Sequence, residues 1–323
     1  MTYADRTGLT SGRLPRRYLW TDAYAVCNFL GLGHADLAIR LVDQVHNVLG
    51  RHRHDGPWLS GSNDAGHAKH PTRGGLRIGK PLDERGPADR IDERLEWNRD
   101  GQYFHYLTKW MHALDQVTRY TGQPVYREWA RELAQAALRA FVYEHEGRQR
   151  MYWKMSIDLS RPLVPSMGQH DPLDGYITCL QIGARAEAEA FRSIVDPRTL
   201  ATTDPLGIGG LLVDAYRLEQ LNEGHLLKEA MLKAALRGIE YFIQMPDLRE
   251  AAEDRLAFRE LGLAIGLKAP VKQGPDVRLL IGDIEGFWSD EDNRRNTTWQ
   301  EHQDINEVML ATALEPQGFL RLP

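Results

Sequence analysis

Four aspartates stand in positions where a carboxyl group could do chemistry: Asp22 in Trp20-Thr-Asp-Ala-Tyr24, Asp100 in Arg99-Asp-Gly-Gln-Tyr103, Asp174 in Leu173-Asp-Gly-Tyr176 and Asp204 in Thr203-Asp-Pro205. Each begins an apolar helical stretch. An aspartate there satisfies free helix N–H groups and gains from the helix dipole, so capping explains each one separately. If the helices converge at one end, however, the carboxyls share a cavity, and a pair with separated protonation states can transfer protons to and from a glycosidic bond. Asp100 and Asp174 form the favoured pair. Both are followed by glycine and then aromatic residues, which allow close approach and offer a stacking face. Asp22 is the third candidate, with Trp20 read either as a sugar platform or as a core tryptophan.

His170 precedes Asp171 and Asp174 in His170-Asp-Pro-Leu-Asp174 and could tune the Asp174 carboxyl or bind a metal. Gln102, His105, Lys109, His112 and Gln116 recur at steps of three and four. They form a polar stripe facing either a lumen or solvent. Trp153 and Lys154 lie in Met151–Ile157, the best strand signal, and are placed with the substrate-binding residues. Between Arg51 and Lys80 the chain is locally basic, and Arg73-Gly-Gly-Leu-Arg77-Ile-Gly-Lys80 has the makings of an anion clamp, with guanidinium forks beside permissive glycines. The competing reading pairs these cations with Asp83, Glu84, Asp89, Asp92, Glu93 and Glu96.

His67-Ala-Lys-His70 and Glu301-His302-Gln-Asp304-Ile-Asn-Glu307 contain metal-ligating residue types without a diagnostic spacing, so no metal is assigned and no cofactor is expected. The absence of a GxSxG elbow or a dinucleotide GxGxxG fingerprint leaves α/β-hydrolase and nicotinamide chemistry without support.

The elements that must position these residues are helices of two alternating kinds. Tyr18–Leu32, Leu206–Leu221 and Leu256–Leu267 are apolar nearly all round and must be covered on most sides. Leu37–Leu49, Val125–Val142 and Leu226–Phe242 are amphipathic and suit an outer layer. Glycine and proline punctuate each pair, as in Thr121-Gly-Gln-Pro124, so the chain reads as helical hairpins. A third pair is expected over Asp174–Ile194, a fifth over Arg255–Trp288, and a last apolar helix over Asp304–Leu314. Two connections, Gly50–Arg99 and Glu144–Leu173, are far longer than hairpin turns. Both lead into inner helices and could wall a pocket.

An inner ring of buried helices wrapped by an outer ring is the pattern of an all-α helical toroid spanning residues 1–323 as a single domain, with a solenoid as the structural alternative. Arg17-Tyr-Leu-Trp-Thr-Asp22, Asp100-Gly-Gln-Tyr-Phe-His-Tyr-Leu107 and Tyr120-Thr-Gly-Gln-Pro-Val-Tyr126-Arg-Glu-Trp-Ala130 resemble the six-hairpin (α/α)6-toroid glycosidase superfamily, which includes unsaturated glucuronyl hydrolases and the N-acylglucosamine epimerase type. The resemblance implies a carbohydrate-active enzyme. In the glucuronyl hydrolases, aspartates opening the corresponding inner helices serve catalysis, which points to Asp100 and Asp174. The expected reaction is hydrolysis of a glycosidic or unsaturated uronyl bond, with Asp174 as proton donor or base, Asp100 shaping its charge and the basic loop holding an acidic sugar. A sugar epimerase using a His pair such as His105 and His170, and a non-catalytic carbohydrate-binding or scaffold protein, are the alternatives.

The 323 residues, 42% hydrophobic and 26% charged, exclude bulk disorder, and a net charge of −5 argues against a nucleic-acid partner. No window approaches the roughly 18 apolar residues of a transmembrane span, and no signal peptide is evident, so a cytoplasmic location without membrane association is expected. The partner is then a small-molecule or oligosaccharide substrate. Cys27 and Cys179 lie in apolar segments and suggest buried thiols. Nothing in the sequence sets the oligomeric state.

Overall fold

The computed structural model describes residues 2–244, 246–271 and 277–323, and it is mostly helical. The described chain divides into two compact units, Met1–Val195 and Asp196–Pro323.

The first unit is built from three helical hairpins: α1 (Leu19–Gly31) with α2 (Ala35–Leu49), α3 (Phe104–Thr121) with α4 (Val125–Phe141), and α5 (Asp171–Gln181) with α6 (Arg185–Arg192). The first member of each pair is buried on nearly all sides. In α1, Leu19, Ala23, Val26, Cys27 and Leu30 are all enclosed. The second member is amphipathic: α2 buries Ala38, Leu41, Val42, Val45 and Leu49 along one stripe. α1 packs on α3 and α3 on α5, so the three inner helices form a contiguous row. Gly122 ends α3 in the left-handed conformation with φ 72°, and Pro172 sits in the first turn of α5, as the punctuation requires.

The two long connections meet each other. The first carries short helices at Asp64–Lys69 and Glu93–Asn98 and ends in strand β1 (Gln102–Tyr103). The second contains the hairpin β2 (Val142–His145) and β3 (Arg148–Met151), followed by β4 (Lys154–Met155) and β5 (Pro162–Val164). β1 pairs antiparallel with β4, matching Tyr103 to Lys154, and β4 pairs with β5. Side chains reinforce the junction: Ile157 N–H donates to Glu84 at 2.7 Å, and Arg85 donates to the Leu163 carbonyl at 3.2 Å.

The second unit repeats the hairpin design with α7 (Pro205–Gln220), α8 (His225–Gln244), α9 (Ala257–Leu267), α10 (Val277–Ser289) and α11 (Gln303–Leu314). α7 packs on α9, and α9 on α11. Gly209 of α7 lies against the Gly262 and Gly266 backbone of α9 so closely that a Cβ would collide with it. Part of the turn expected within the fifth hairpin, residues 272–276, lies outside the described residues. Among the described residues, no helix is long and apolar enough to cross a membrane.

Candidate functional site

Of the four helix-opening aspartates, Asp204 behaves as a cap: its side chain accepts from the Gly207 N–H at 3.2 Å and pairs with Arg259 at 2.7 Å. Asp22, 1% exposed, accepts from the Tyr18 N–H at 2.9 Å and the Tyr3 hydroxyl, with Arg17 at 3.4 Å. Trp20 beside it is 6% exposed and packs on Tyr24 and Tyr106.

Asp100 is fully buried and both of its oxygens are occupied. Oδ2 accepts from Arg77 at 2.9 Å and Arg53 at 3.2 Å, and Oδ1 from the Gly79, Lys80 and Gly101 N–H groups at 2.9–3.3 Å. Arg77 spends its remaining donors on the Arg51 and Val48 carbonyls. Gln102 works the same way on the neighbouring stretch, accepting from Leu76 N–H and donating to the Gly74 and Ile157 carbonyls. Gly75, with φ 79°, leaves no room for a Cβ against that carboxamide. Arg53 and Arg77 of the basic segment therefore bind the protein's own acceptors. Arg73 is exposed. Lys80 differs: its ammonium lies 5.4 Å over the Tyr18 ring, it has no ion-pair partner among the described residues, and burial, with Lys154 nearby, lowers its pKa.

Lys154 is buried and bonded through Nζ to the Glu96 side chain and to the Glu96 and Arg99 carbonyls at 2.7–3.0 Å, with the Tyr103 ring 5.3 Å away. Tyr103 links this cluster to a second one. Its ring stands 5.4 Å from His105 and 5.6 Å from Trp153, and Trp153 in turn meets Trp97 edge-on at 5.0 Å. Tyr106 extends the aromatic band to Tyr18, whose hydroxyl it bonds at 2.6 Å. Burial raises the Tyr18 phenol to about 12 and keeps Tyr103 and Tyr106 protonated as well, so all three hydroxyls remain potential donors.

The second cluster gathers His105, Lys109, Trp153, Asp174 and Asp171. Asp174, 6% exposed, holds the Lys109 ammonium at 2.9 Å and the Thr108 hydroxyl on Oδ2, with Thr178 at 3.4 Å on Oδ1. Burial drives the His105 imidazole down to about 3, and Lys109 adds to the shift. Its Nδ1 accepts from the Trp153 indole N–H at 3.2 Å, which leaves the ring neutral with its proton on Nε2. Asp171, one helical turn before Asp174, is pushed up to about 7 by burial first and by the Asp174 charge second, against the opposing Gly168 N–H and Lys109.

The structure thus brings Asp100, Arg77, Lys80 and Lys154 into one group and Asp174, Lys109, His105 and Trp153 into another, with the Tyr103 ring between them and His170 at the residue before α5. Asp22 and Trp20 sit at the α1 end of the aromatic band, and Arg73 stands apart. The property of Asp171 was foreshadowed only by its place between His170 and Asp174. Among the described residues no group of three or more His, Cys, Asp or Glu side chains is arranged to hold a metal ion. The second unit has a shallow cleft of about 250 Å³ lined by Glu291, Arg294, Trp299, Gln300 and Glu307, among others. No protein-family model matches this chain, and no curated protein matches it.

Proposed function

We propose that the protein is a carbohydrate-active hydrolase, cleaving a glycosidic or unsaturated uronyl bond at the mouth where α3 and α5 begin. The hairpins of the two units are the parts from which the expected toroid would be made. The observation that carries this reading is the pairing of unlike carboxyls beside an aromatic band. Asp174 has a cation and a hydroxyl on one oxygen, while Asp171, one turn away, sits in surroundings that favour its protonated form. Glycoside chemistry requires one carboxyl as an acid and another ionised. The rings of Tyr106, Trp153 and Trp97 would stack on sugar faces, and the Lys80 ammonium would take the carboxylate of an acidic sugar. In this reading Asp100, Arg77 and Lys154 fix the loops that form the site instead of touching substrate.

The epimerase alternative needs His105 to carry a proton between two faces of a sugar. A ring with its pKa near 3 and its Nδ1 already engaged by Trp153 is poorly suited to that task, which favours the hydrolase. The test is Asp174→Asn, measured by thermal melting and by turnover on a panel of 4-nitrophenyl glycosides and unsaturated uronyl disaccharides. The expected result is a folded protein whose turnover falls by about two to four orders of magnitude. A folded, fully active variant overturns the reading, and so does a wild-type protein that cleaves none of the panel.

A further inference from the structure

We infer that Asp171 is the proton donor of this site, a role that rests on the hydrolase reading above. The first support is a hydrogen-bonding deficit. Asp171 is 6% exposed, and its Oδ2 is buried without a hydrogen-bond partner. An ionised carboxylate leaving one oxygen in that state loses solvation that nothing around it replaces, whereas a carboxylic acid needs only a single acceptor for its O–H. A substrate oxygen is such an acceptor.

The second support is the set of groups around it. Within α5 the charged neighbour is Asp174, whose carboxylate already has Lys109 and Thr108 from α3 on its Oδ2. Lys109 is therefore committed to Asp174, and its influence on Asp171 is the weakest of the causes acting there. From the α6 side the element packed on α5 presents the Phe191 ring, lying against Gly175, and Arg192 over the Tyr176 ring at 5.9 Å. The connection before α5 gives the Gly168 N–H, and a Cβ on Gly168 would fall within 2.6 Å of the Asp171 carboxyl. The glycine thus allows the backbone to close over the acid. The helix dipole favours an anion in this turn, but burial and the adjacent carboxylate outweigh it, and the Asp171 pKa lies near 7.

The step balances with one water. As the C–O bond to the leaving sugar breaks, Asp171 gives its carboxylic proton to the departing oxygen. Water adds its hydroxyl to the sugar carbon, and its remaining proton passes through Asp174 to restore the Asp171 acid.

Two measurements on Asp171→Asn, with Asp171→Glu as the conservative variant, test this. The first compares disaccharides, whose departing sugar alkoxide must be protonated, with dinitrophenyl glycosides of the same sugar, whose leaving group departs without a proton. The proposal expects kcat/KM to fall about 10²–10⁴-fold on the former and to stay within about tenfold on the latter, with partial recovery in the Glu variant. Equal losses on both overturn it, as does loss of the melting transition in Asn and Glu variants alike. The second is infrared difference spectroscopy of the free protein. A carboxylic-acid carbonyl band that titrates near pH 7 and vanishes in Asp171→Asn supports the assignment. A missing band overturns the donor role even where wild type is an active hydrolase. A band in a wild type that cleaves neither substrate class overturns the hydrolase reading, and the donor role with it.

Discussion

Replacing Asp100 by asparagine should unfold the entrance of the site before it affects any chemistry. The carboxylate is fully buried and has five donors: two guanidinium groups, at 2.9 and 3.2 Å, and three backbone N–H groups. Asparagine keeps a carbonyl oxygen for the backbone donors but turns an NH₂ toward Arg77 and Arg53. Two charge-assisted bonds are lost, each worth about 1.5–3 kcal/mol. The guanidinium groups are not orphaned, because Arg77 retains the Arg51 and Val48 carbonyls and Arg53 retains Asp83 and the Lys80 and Pro81 carbonyls. The cost should therefore stay at about 3–5 kcal/mol, the range for breaking a buried ion pair on one side. At about 2–4 °C per kcal/mol for a unit of this size, Tm should fall by about 6–20 °C. Thermal melting by circular dichroism reads this directly, and limited proteolysis should show cleavage within residues 50–99. A variant melting within about 3 °C of wild type refutes the argument. If that stable variant were also inactive, Asp100 would have to be placed among the reacting groups.

Arg77→Ala should cost about 2–4 kcal/mol in denaturant unfolding because it leaves the Asp100 carboxylate short of its closest cation, whereas Arg73→Ala, on an exposed side chain, should stay within about 0.5 kcal/mol; equal effects would mean that the segment is not organised around Asp100. Burial, assisted by His67, lowers the buried His46 from 6.5 to about 3, so the unfolded chain binds the proton first and stability, complete above about pH 6.5, declines as pH falls toward 3. His46→Gln keeps an acceptor for the Trp110 N–H but cannot titrate; melting between pH 7 and 4 should show a shallower decline than wild type, and parallel curves would refute the linkage.

The hairpins were legible because burial writes itself into period and punctuation. Apolar-all-round Tyr18–Leu32 became α1, and the amphipathic Val125–Val142 became α4, each within a residue or two of the expected ends. The strand signal at Met151–Ile157 fell where β3 ends and β4 lies. The roles of individual aspartates were harder to read, since they depend on partners distant in sequence. Nothing local to Asp100 announces that Arg77 and Arg53, 23 and 47 residues earlier, will close on it. Of the clamp spelled by Arg73, Arg77 and Lys80, only the Arg77 guanidinium is taken by the internal carboxylate, which the spacing alone does not reveal. Asp171 was visible as a neighbour of Asp174, but the two carboxyls are equally buried, and what separates them is which one Lys109 reaches and which one the Thr108 hydroxyl meets. Neither is a property of spacing.

The grip of Asp100 and Gln102 on residues 74–80 also divides the long connection into two regimes of evolutionary freedom. Where those two side chains hold it, backbone N–H and carbonyl groups are consumed one by one and Gly75 admits no side chain, so insertions or larger residues there would tear the clasp. Ten residues further on, the run from Ala88 to Asp92 is exposed throughout and its backbone makes few commitments. Length and composition can drift there while the anchored segment keeps its position. A lineage could thus reshape the rim that meets a new ligand by editing this run, with Trp97 and Lys154 still returned to the same place by the helix and strand that follow.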